Sequence, residues 1–373
     1  MMLATMPHTR FDRSPRSDAT EPPEAHGIPR DGVKLLVARP DGIVHSRFAD
    51  LGAHLNPGDL LVVNNSATLP AAVDGMRAGR PIAVHFSTAL ADHVWVVELR
   101  PASNATGPQP DVRPGERVGL PGGAALVVLA SYPEPAITGS RLWVSRLAIE
   151  GDVPAYLARR GRPIRYAYVP QQWPLSSYQT VFARQPGSAE MASAARPFSA
   201  ELVTSLVSSG IAIAPITLHA GVSSAEPGEP PVAEPFDVPP ATARLVTLTH
   251  QSGGRVIAVG TTVTRALESA ATIDGEVRPS HGWTDLVLGP DHPVRVVDGL
   301  VTGWHDAGVS HLLLLEAVAG PDLVAAAYQE AVVGGYLWHE FGDSALLLPA
   351  RPDQRSAIPL INRSQTASIS VRA

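Results

Sequence analysis

Three features of the sequence predict an α/β fold, in which a main three-layer-like α/β domain is interrupted by a small inserted β-barrel domain. Over residues 31–70 and 163–350, short β-rich apolar runs alternate with amphipathic helical stretches, the pattern of strands covered by helices. Over 71–162 the texture changes to short alternating strands punctuated by Pro and Gly, as in an all-β module. The stretch Gly253 to Glu268 then reads as a turn, a buried strand, a glycine and a helix in immediate succession.

In order along the chain, residues 1–30 are rich in Pro, Arg, Asp and Ser without periodicity and read as a disordered tail, as do residues 351–373. Lys34 to Ala38 and Gly42 to His45 are strands about an Arg-Pro-Asp-Gly turn. Leu60 to Val63 is a buried strand after the turn Asn56-Pro57-Gly58-Asp59, and it ends in Asn64-Asn65-Ser66. In the inserted module, Ile82, Val84 and Phe86 share one strand face and Trp95, Val97 and Leu99 another; strands at Ala125 to Leu129 and Arg141 to Leu147 follow. Phe198 to Ser209 is a helix capped near Ser199, Ile211 to Leu218 a strand and Ala243 to Gln251 a helix. Leu286 to Leu288 and Val294 to Val297 read as short strands, and Asp322 to Val333 as a helix ended by Gly334-Gly335. The alternation argues for a largely parallel sheet. Glu226 to Pro240, with six prolines and several acids, reads as a loop draped over that sheet, in the manner of a lid.

Composition narrows the chemistry. The chain has 373 residues, 45% of them hydrophobic, and a formal net charge of -6, which fits two soluble domains with a proper core. Cysteine is absent, so disulfides, thiolate nucleophiles and Cys-type zinc sites are excluded, and Lys34 is the sole lysine for any Schiff base. The longest apolar run, Leu312 to Ala319, is interrupted by Glu316 and is too short to span a bilayer. The first thirty residues lack a signal-peptide core, and a cytoplasmic protein is expected. An acidic total gives no general nucleic-acid footprint, although Arg159, Arg160, Arg162 and Arg165 form a local basic cluster. No His-Glu-x-x-His pattern occurs, and His305 with His311 has no metal spacing.

The chemistry is expected to be anchored at Gly253 to Glu268. Thr261 or Thr262 reads as the helix N-cap, Val263, Ala266, Leu267 and Ala270 form one apolar face, and Arg265 and Glu268 point away from it. Two readings fit: a carboxylate or phosphate held at the helix start, or a capped helix packed on a sheet.

Taken with its neighbours, this stretch resembles the S-adenosylmethionine:tRNA ribosyltransferase-isomerase family of queuosine biosynthesis. The resemblance runs from about Asp31 to Leu348 through Pro57 to Asn64, Tyr178 to Ala183, Thr217-Leu218-His219, Gly254 to Glu268, Thr284-Asp285, His305, and Tyr336 with Gly342-Asp343. It implies the α/β domain with inserted barrel, and transfer of the ribosyl part of S-adenosylmethionine to the aminomethyl group of a 7-deazaguanine in tRNA, releasing adenine and methionine. S-adenosylmethionine and tRNA are then the partners, with no prosthetic group, metal or membrane. Such chemistry needs a base, assistance to the departing adenine and an anion site. The resemblance implies catalytic roles for His219, Glu268 and Asp285. It implies substrate contacts for Asn64, Tyr178, Gln179, Thr180, Thr217, Gly260, Thr261, Thr262, Arg265, His305 and Asp343. By themselves His219 reads equally as a strand-end structural histidine, Tyr178 as core and Asp285 as a helix cap. The chain departs from the family at Asn65-Ser66-Ala67 and Pro70-Ala71-Ala72, where the family carries Asp-Thr-Arg and Pro-Ala-Arg, at Ala195-Arg196-Pro197, at Ser224-Ala225-Glu226, at Val232 and at Gly303-Trp304-His305-Asp306-Ala307. Loss of arginines bears most on a polyanionic acceptor. A small-molecule acceptor, or a non-catalytic binding protein on the same fold, are the alternatives.

Overall fold

The computed structural model describes residue 3 and residues 5–102, 107–109, 111–133, 141–222, 228–290 and 292–350. The expected tail at 351–373 and the segment Ser224-Ala225-Glu226 lie outside them. The strands are β1 (Lys34–Arg39), β2 (Gly42–Arg47), β3 (Leu60–Asn64), β4 (Ser66–Thr68), β5 (Ala72–Arg77), β6 (Arg80–Ala91), β7 (Val94–Pro101), β8 (Arg117–Gly119), β9 (Ala125–Tyr132), β10 (Leu142–Ala148), β11 (Gln185–Ser188), β12 (Ala212–Leu218), β13 (Glu234–Val238), β14 (Val256–Val259), β15 (Ser280–Thr284), β16 (Gly299–Thr302) and β17 (Ser344–Leu347). The α-helices are α1 (Val153–Arg160), α2 (Ala200–Ser208), α3 (Pro240–Gln251), α4 (Thr261–Ser269), α5 (Ser310–Ala319) and α6 (Pro321–Val333).

Nine strands form the main sheet in the order β15-β13-β12-β3-β14-β16-β17-β1-β2. Its centre, β12-β3-β14-β16, is parallel, while β13, β15 and β2 add antiparallel edges and β17 turns antiparallel against β16. Parallel pairing in this sheet is thus confined to the centre and to the β17–β1 pair. There the strands are continuous apolar runs buried on both faces, as a doubly covered sheet requires. Successive residues alternate between two cores. Leu60, Val62 and Ala258 join Val246, Val263, Leu315 and Tyr328 from α3 to α6 on one face. Leu61, Val63, Ile257 and Val259 join Phe48, Phe198 and Leu202 on the other. These are the three layers.

The six strands β10-β7-β6-β5-β8-β9 close into a barrel with its own core. The chain enters and leaves it side by side, Ala72 and Arg162 exchanging both backbone hydrogen bonds at 2.9 Å. This crossing is tight. A Cβ on Gly161 would stand 1.9 Å from the Pro70 carbonyl oxygen, so only glycine fits.

Four expectations are corrected. Residues 6–30 do not form a free tail: Thr9 is buried, its N–H and hydroxyl both donate to Glu316 Oε1 at 2.7 Å, and Phe11 packs on Tyr328 at 4.8 Å. Trp338 N–H donates to the Ser17 carbonyl, and Ala19 N–H returns to Trp338. Anchoring here comes from residues three hundred positions away, to which local composition is blind. Secondly, the proline-rich stretch contains strand β13. Its ladder to β12 covers Thr217↔Asp237 and Leu218↔Phe236 and stops at Pro235, which pairs with Trp283 on the β15 side and toward β12 offers only its carbonyl, accepting from His219 N–H at 3.0 Å. Thirdly, Val294 to Val297 is not a strand, because the N–H groups of Arg295, Val296 and Val297 donate to the Glu268 carboxylate; the strand is Gly299–Thr302. Leu286 to Leu288 likewise lies outside the ladders, and the Leu286 carbonyl accepts from Arg265 Nε. Lastly, α4 is capped by Gly260 rather than by a threonine, and no side chain caps it.

Candidate active site

A cavity of about 530 Å³ opens where the carboxyl ends of β14 and β16 meet the barrel and the chain returning from it. Such a position, beyond the ends of central parallel strands, is where open α/β sheets bind ligands. Its floor is the turn from β14 into α4. Gly260 has φ +100 and ψ 158, a conformation essentially reserved for glycine, and a Cβ there would stand 3.3 Å from Ala194 Cβ. The Gly260 N–H donates to the Val301 carbonyl at 2.8 Å, which fixes the turn. Gly260, Thr261 and Thr262 all line the cavity, and the positive end of α4 reaches it without a side-chain cap.

Arg265 lines the cavity one turn further along. It is 7% exposed, ion-pairs with Glu234 on β13, and donates to the carbonyls of Thr284 at 2.8 Å and Leu286 at 3.2 Å. It therefore ties α4 to β13 and β15, and its charge is already answered inside the protein. Tyr178 lines the cavity and is buried against Phe341, ring centroids 5.1 Å apart; its hydroxyl is buried without a hydrogen-bond partner among the described residues. Burial, and the nearby Glu340 carboxyl, raise its pKa. His305 also faces the cavity, stacked on His311 at 4.6 Å with Nε2 3.1 Å from Thr302 Oγ1. Burial pulls His305 well below the usual histidine range and His311 down to about 4, so both rings are neutral at pH 7.

The other expected site residues do not line this cavity. Glu268 points into the core, its carboxylate taken up by three N–H groups at 2.8, 2.9 and 3.1 Å; burial raises its pKa and those donors offset part of the rise. It is no surface partner of Arg265. His219 is held by Ser66 Oγ at 2.7 Å, with burial lowering its pKa, and its N–H donates to Pro235. Asn64 accepts from Ser66 N and Leu218 N and donates to the Leu218 carbonyl at 2.8 Å and to Thr262 Oγ1 at 3.3 Å. It sits behind the floor, locking the ends of β3 and β12 to α4. Thr217 donates to Asn65 Oδ1 at 2.7 Å, while Gln179 pairs with both backbone groups of Thr68 as a strand would. Thr180 is buried, its hydroxyl unpartnered among the described residues. Asp285 is exposed just after β15. Asp343 accepts from Lys34 N at 2.7 Å and Leu337 N at 2.8 Å, pinning β1 to the turn before β17, and burial raises its pKa. Thus Tyr178, Gly260, Thr261, Thr262, Arg265 and His305 are brought together, while His219, Glu268, Asp285, Asn64, Gln179, Thr180, Thr217 and Asp343 support or surround them.

Sequence reasoning missed the opposite wall. Tyr166 and Tyr168 come from the chain leaving the barrel, and His339 with Glu340 from the turn before β17. Tyr168 donates to Glu340 Oε2 at 2.6 Å and stacks on His339 at 4.2 Å. Tyr166 donates to Glu190. His339 has φ +71, a left-handed conformation rare for a non-glycine residue, and its Nε2 lies 3.0 Å from Asp18 in the N-terminal segment. Burial raises the Glu340 carboxyl to about 7, against the opposing pull of the Tyr168 hydrogen bond and of Arg196. The available signal was the tyrosine alternation after the basic run and the His-Glu pair before Gly342-Asp343.

A cavity at the strand ends of an α/β sheet, with a helix start, aromatic rings and a carboxyl of shifted pKa in its lining, has the make-up of an enzyme site. The sequence profile of the family described as queuosine biosynthesis protein matches residues 8–347, and the chain belongs to that family. Relatives include the S-adenosylmethionine:tRNA ribosyltransferase-isomerases of Symbiobacterium thermophilum, 36% identical over 334 residues, and Acidiphilium cryptum, 34% identical over 336 residues. Both alignments cover 86% of this chain, with 94% and 93% of those relatives respectively. The crystal structure of an S-adenosylmethionine tRNA ribosyltransferase from Thermotoga maritima matches with a TM-score of 0.50 and 27% identity, covering 91% of this chain and 99% of that one.

Proposed function

We propose that the protein transfers the ribosyl moiety of S-adenosylmethionine to the aminomethyl group of a 7-deazaguanine in tRNA, forming epoxyqueuosine and releasing adenine and methionine. The observation that carries this reading is the cavity itself: in a chain of this family, the start of α4 and a set of aromatic and imidazole side chains line one cavity. The uncapped N–H groups at Thr261 and Thr262 suit the methionine carboxylate, and the threonine hydroxyls suit ribose oxygens. The neutral rings of His305 and His311 and the phenols of Tyr168 and Tyr178 offer faces to a purine. Neutral rings suit a cationic sulfonium substrate, because imidazolium groups there would repel it.

The acceptor surface is thinner in cations than the arginine run suggests. Arg162 is paired with Asp74 at 2.7 Å and Arg165 donates to the Val169 carbonyl at 2.7 Å, whereas Arg159 and Arg160 are exposed at the end of α1. The test is adenine release from S-adenosylmethionine with and without tRNA carrying 7-aminomethyl-7-deazaguanine. Release that requires this tRNA is the expected result. Release without it would replace the acceptor by a small molecule, and no release in either tube would refute the transferase reading.

A further inference from the structure

We infer that Glu340 is the acid that protonates the departing adenine, with Tyr168 as the residue that positions its carboxyl. The inference rests on the ribosyl transfer proposed above and assigns to a residue the step that this chemistry most needs. Four other acids reach the cavity, and each is otherwise engaged. Glu234 is paired with Arg265, Glu229 with Arg141 at 3.3 Å and Asp306 with Arg13 at 2.6 Å, so each of these three is already bonded to a cation. Glu190 receives the Tyr166 hydroxyl. Glu340 instead meets the neutral phenol of Tyr168 at 2.6 Å, in a partly buried position in the lining of the same cavity as the start of α4.

Its surroundings act as a support. Tyr168 is held from behind by its stack on His339 at 4.2 Å, and His339 is held in turn by Asp18 at 3.0 Å. The groups facing Glu340 are Tyr168 from the chain leaving the barrel, Tyr178 from the turn Leu175–Tyr178, Arg196 before α2 and His339 beside it, with Asp18 behind Tyr168 and Arg165 acting on Tyr178. Arg196 is committed to Glu24 at 2.9 Å and acts on Glu340 only through space. Burial outweighs these influences and keeps the carboxyl protonated to about pH 7, where a general acid is most useful.

The step balances across the transfer. Glu340 gives its proton to the adenine nitrogen bonded to ribose as that C–N bond breaks; the bond's electron pair stays on nitrogen and is replaced at the sugar by the pair that the 5′ carbon keeps when its acidified proton is lost to solvent. The acceptor amine's new C–N bond is matched by loss of methionine, whose sulfur keeps the C–S pair, and the proton that the amine sheds returns to the Glu340 carboxylate, which restores the acid.

The experiment measures adenine release by the full chain with S-adenosylmethionine and modified tRNA between pH 5.5 and 9, for wild type, Glu340→Gln, Glu340→Asp and Tyr168→Phe, together with S-adenosylmethionine binding by calorimetry. Wild-type release is expected to fall as pH rises through about 7. Glu340→Gln should lose about 10²-fold or more in rate while binding stays within about threefold, and Glu340→Asp should recover part of the loss. Tyr168→Phe removes a hydrogen bond that favours the carboxylate, so the fall should move to higher pH by on the order of one unit. Glu340→Gln with wild-type rate, or a rate loss matched by an equal loss of binding, would overturn the assignment. Should that variant not fold, an unshifted Tyr168→Phe profile would do the same. Absence of release by wild type itself would instead refute the transferase reading, so the two failures are distinguishable.

Discussion

Replacing Glu268 by Gln separates a structural carboxylate from a catalytic one. In the folded protein Oε1 accepts from Val296 N at 2.9 Å and Val297 N at 3.1 Å, and Oε2 accepts from Arg295 N at 2.8 Å. An amide retains one acceptor oxygen and turns the other atom into a donor. In the better orientation it keeps the two bonds of Oε1 without their charge and points an NH₂ at the Arg295 N–H. Hydrogen bonds to a charged group are each worth about 1.5–3 kcal/mol, and a buried donor left without an acceptor costs about 1–3 kcal/mol. Against this stands the relief of burying a charge, visible in the raised Glu268 pKa. The net expectation is a loss of about 2–4 kcal/mol. With roughly 2.1 cal/mol/K of unfolding entropy per residue, a chain of this length should melt about 3–5 °C lower. Calorimetry checks the stability, and adenine release well below the melt, normalised to folded protein, should stay within about threefold. An unchanged melting temperature together with a rate loss of about 10²-fold or more would refute the reasoning and return Glu268 to the chemistry.

Two further substitutions probe other places where the structure departs from the local sequence pattern. Gly260→Ala places a Cβ on a backbone at φ +100 and 3.3 Å from Ala194, so a destabilisation of about 1–3 kcal/mol is expected in urea titrations, with weaker S-adenosylmethionine binding because the start of α4 must shift; an unaltered affinity would remove the helix start from the ligand site. Thr9→Val keeps the shape of a buried side chain but deletes its 2.7 Å bond to Glu316, and should cost about 1.5–3 kcal/mol, measured by the same titration, whereas a free tail would give no change.

The fold was legible wherever periodicity and burial coincide. Val256 to Val259 and the helix after it are read correctly because an apolar run, a glycine and a helical repeat fall in sequence, and the barrel is read because its strands alternate. Reading failed where one side chain replaces a ladder. Val294 to Val297 has the residue types of a strand, yet its N–H groups are spent on Glu268, twenty-seven to twenty-nine residues earlier. It failed again where burial is all round: α4 has an apolar face as expected, but Arg265 and Glu268 on the other side are buried too, satisfied by β13, β15 and the loop before β16. Of the site, the glycine-threonine floor was visible. The wall of Tyr168, His339 and Glu340 was not, since it is assembled from non-periodic segments that meet only in the folded chain.

That division has a physical logic. The polar residues at the strand ends, Asn64, Ser66, Thr217 and His219, satisfy one another and neighbouring backbone groups, so they make a rigid support behind the floor with little bonding capacity to spare. The groups with capacity to spare stand on the facing wall, where neutral phenols and a carboxyl meet. The barrel takes part in this wall through a buried charge network. Glu98, fully buried, accepts from Arg100 and from Arg141, and Arg141 extends to Glu229 on the chain leading into β13. A lone buried charge at either end would be costly, so each ion fixes the next, and the network links the barrel to the main sheet at the rim of the cavity. The inserted domain therefore helps to set the position of the segment that carries Glu234, the partner of Arg265, and through Arg265 the side of α4 that faces the cavity.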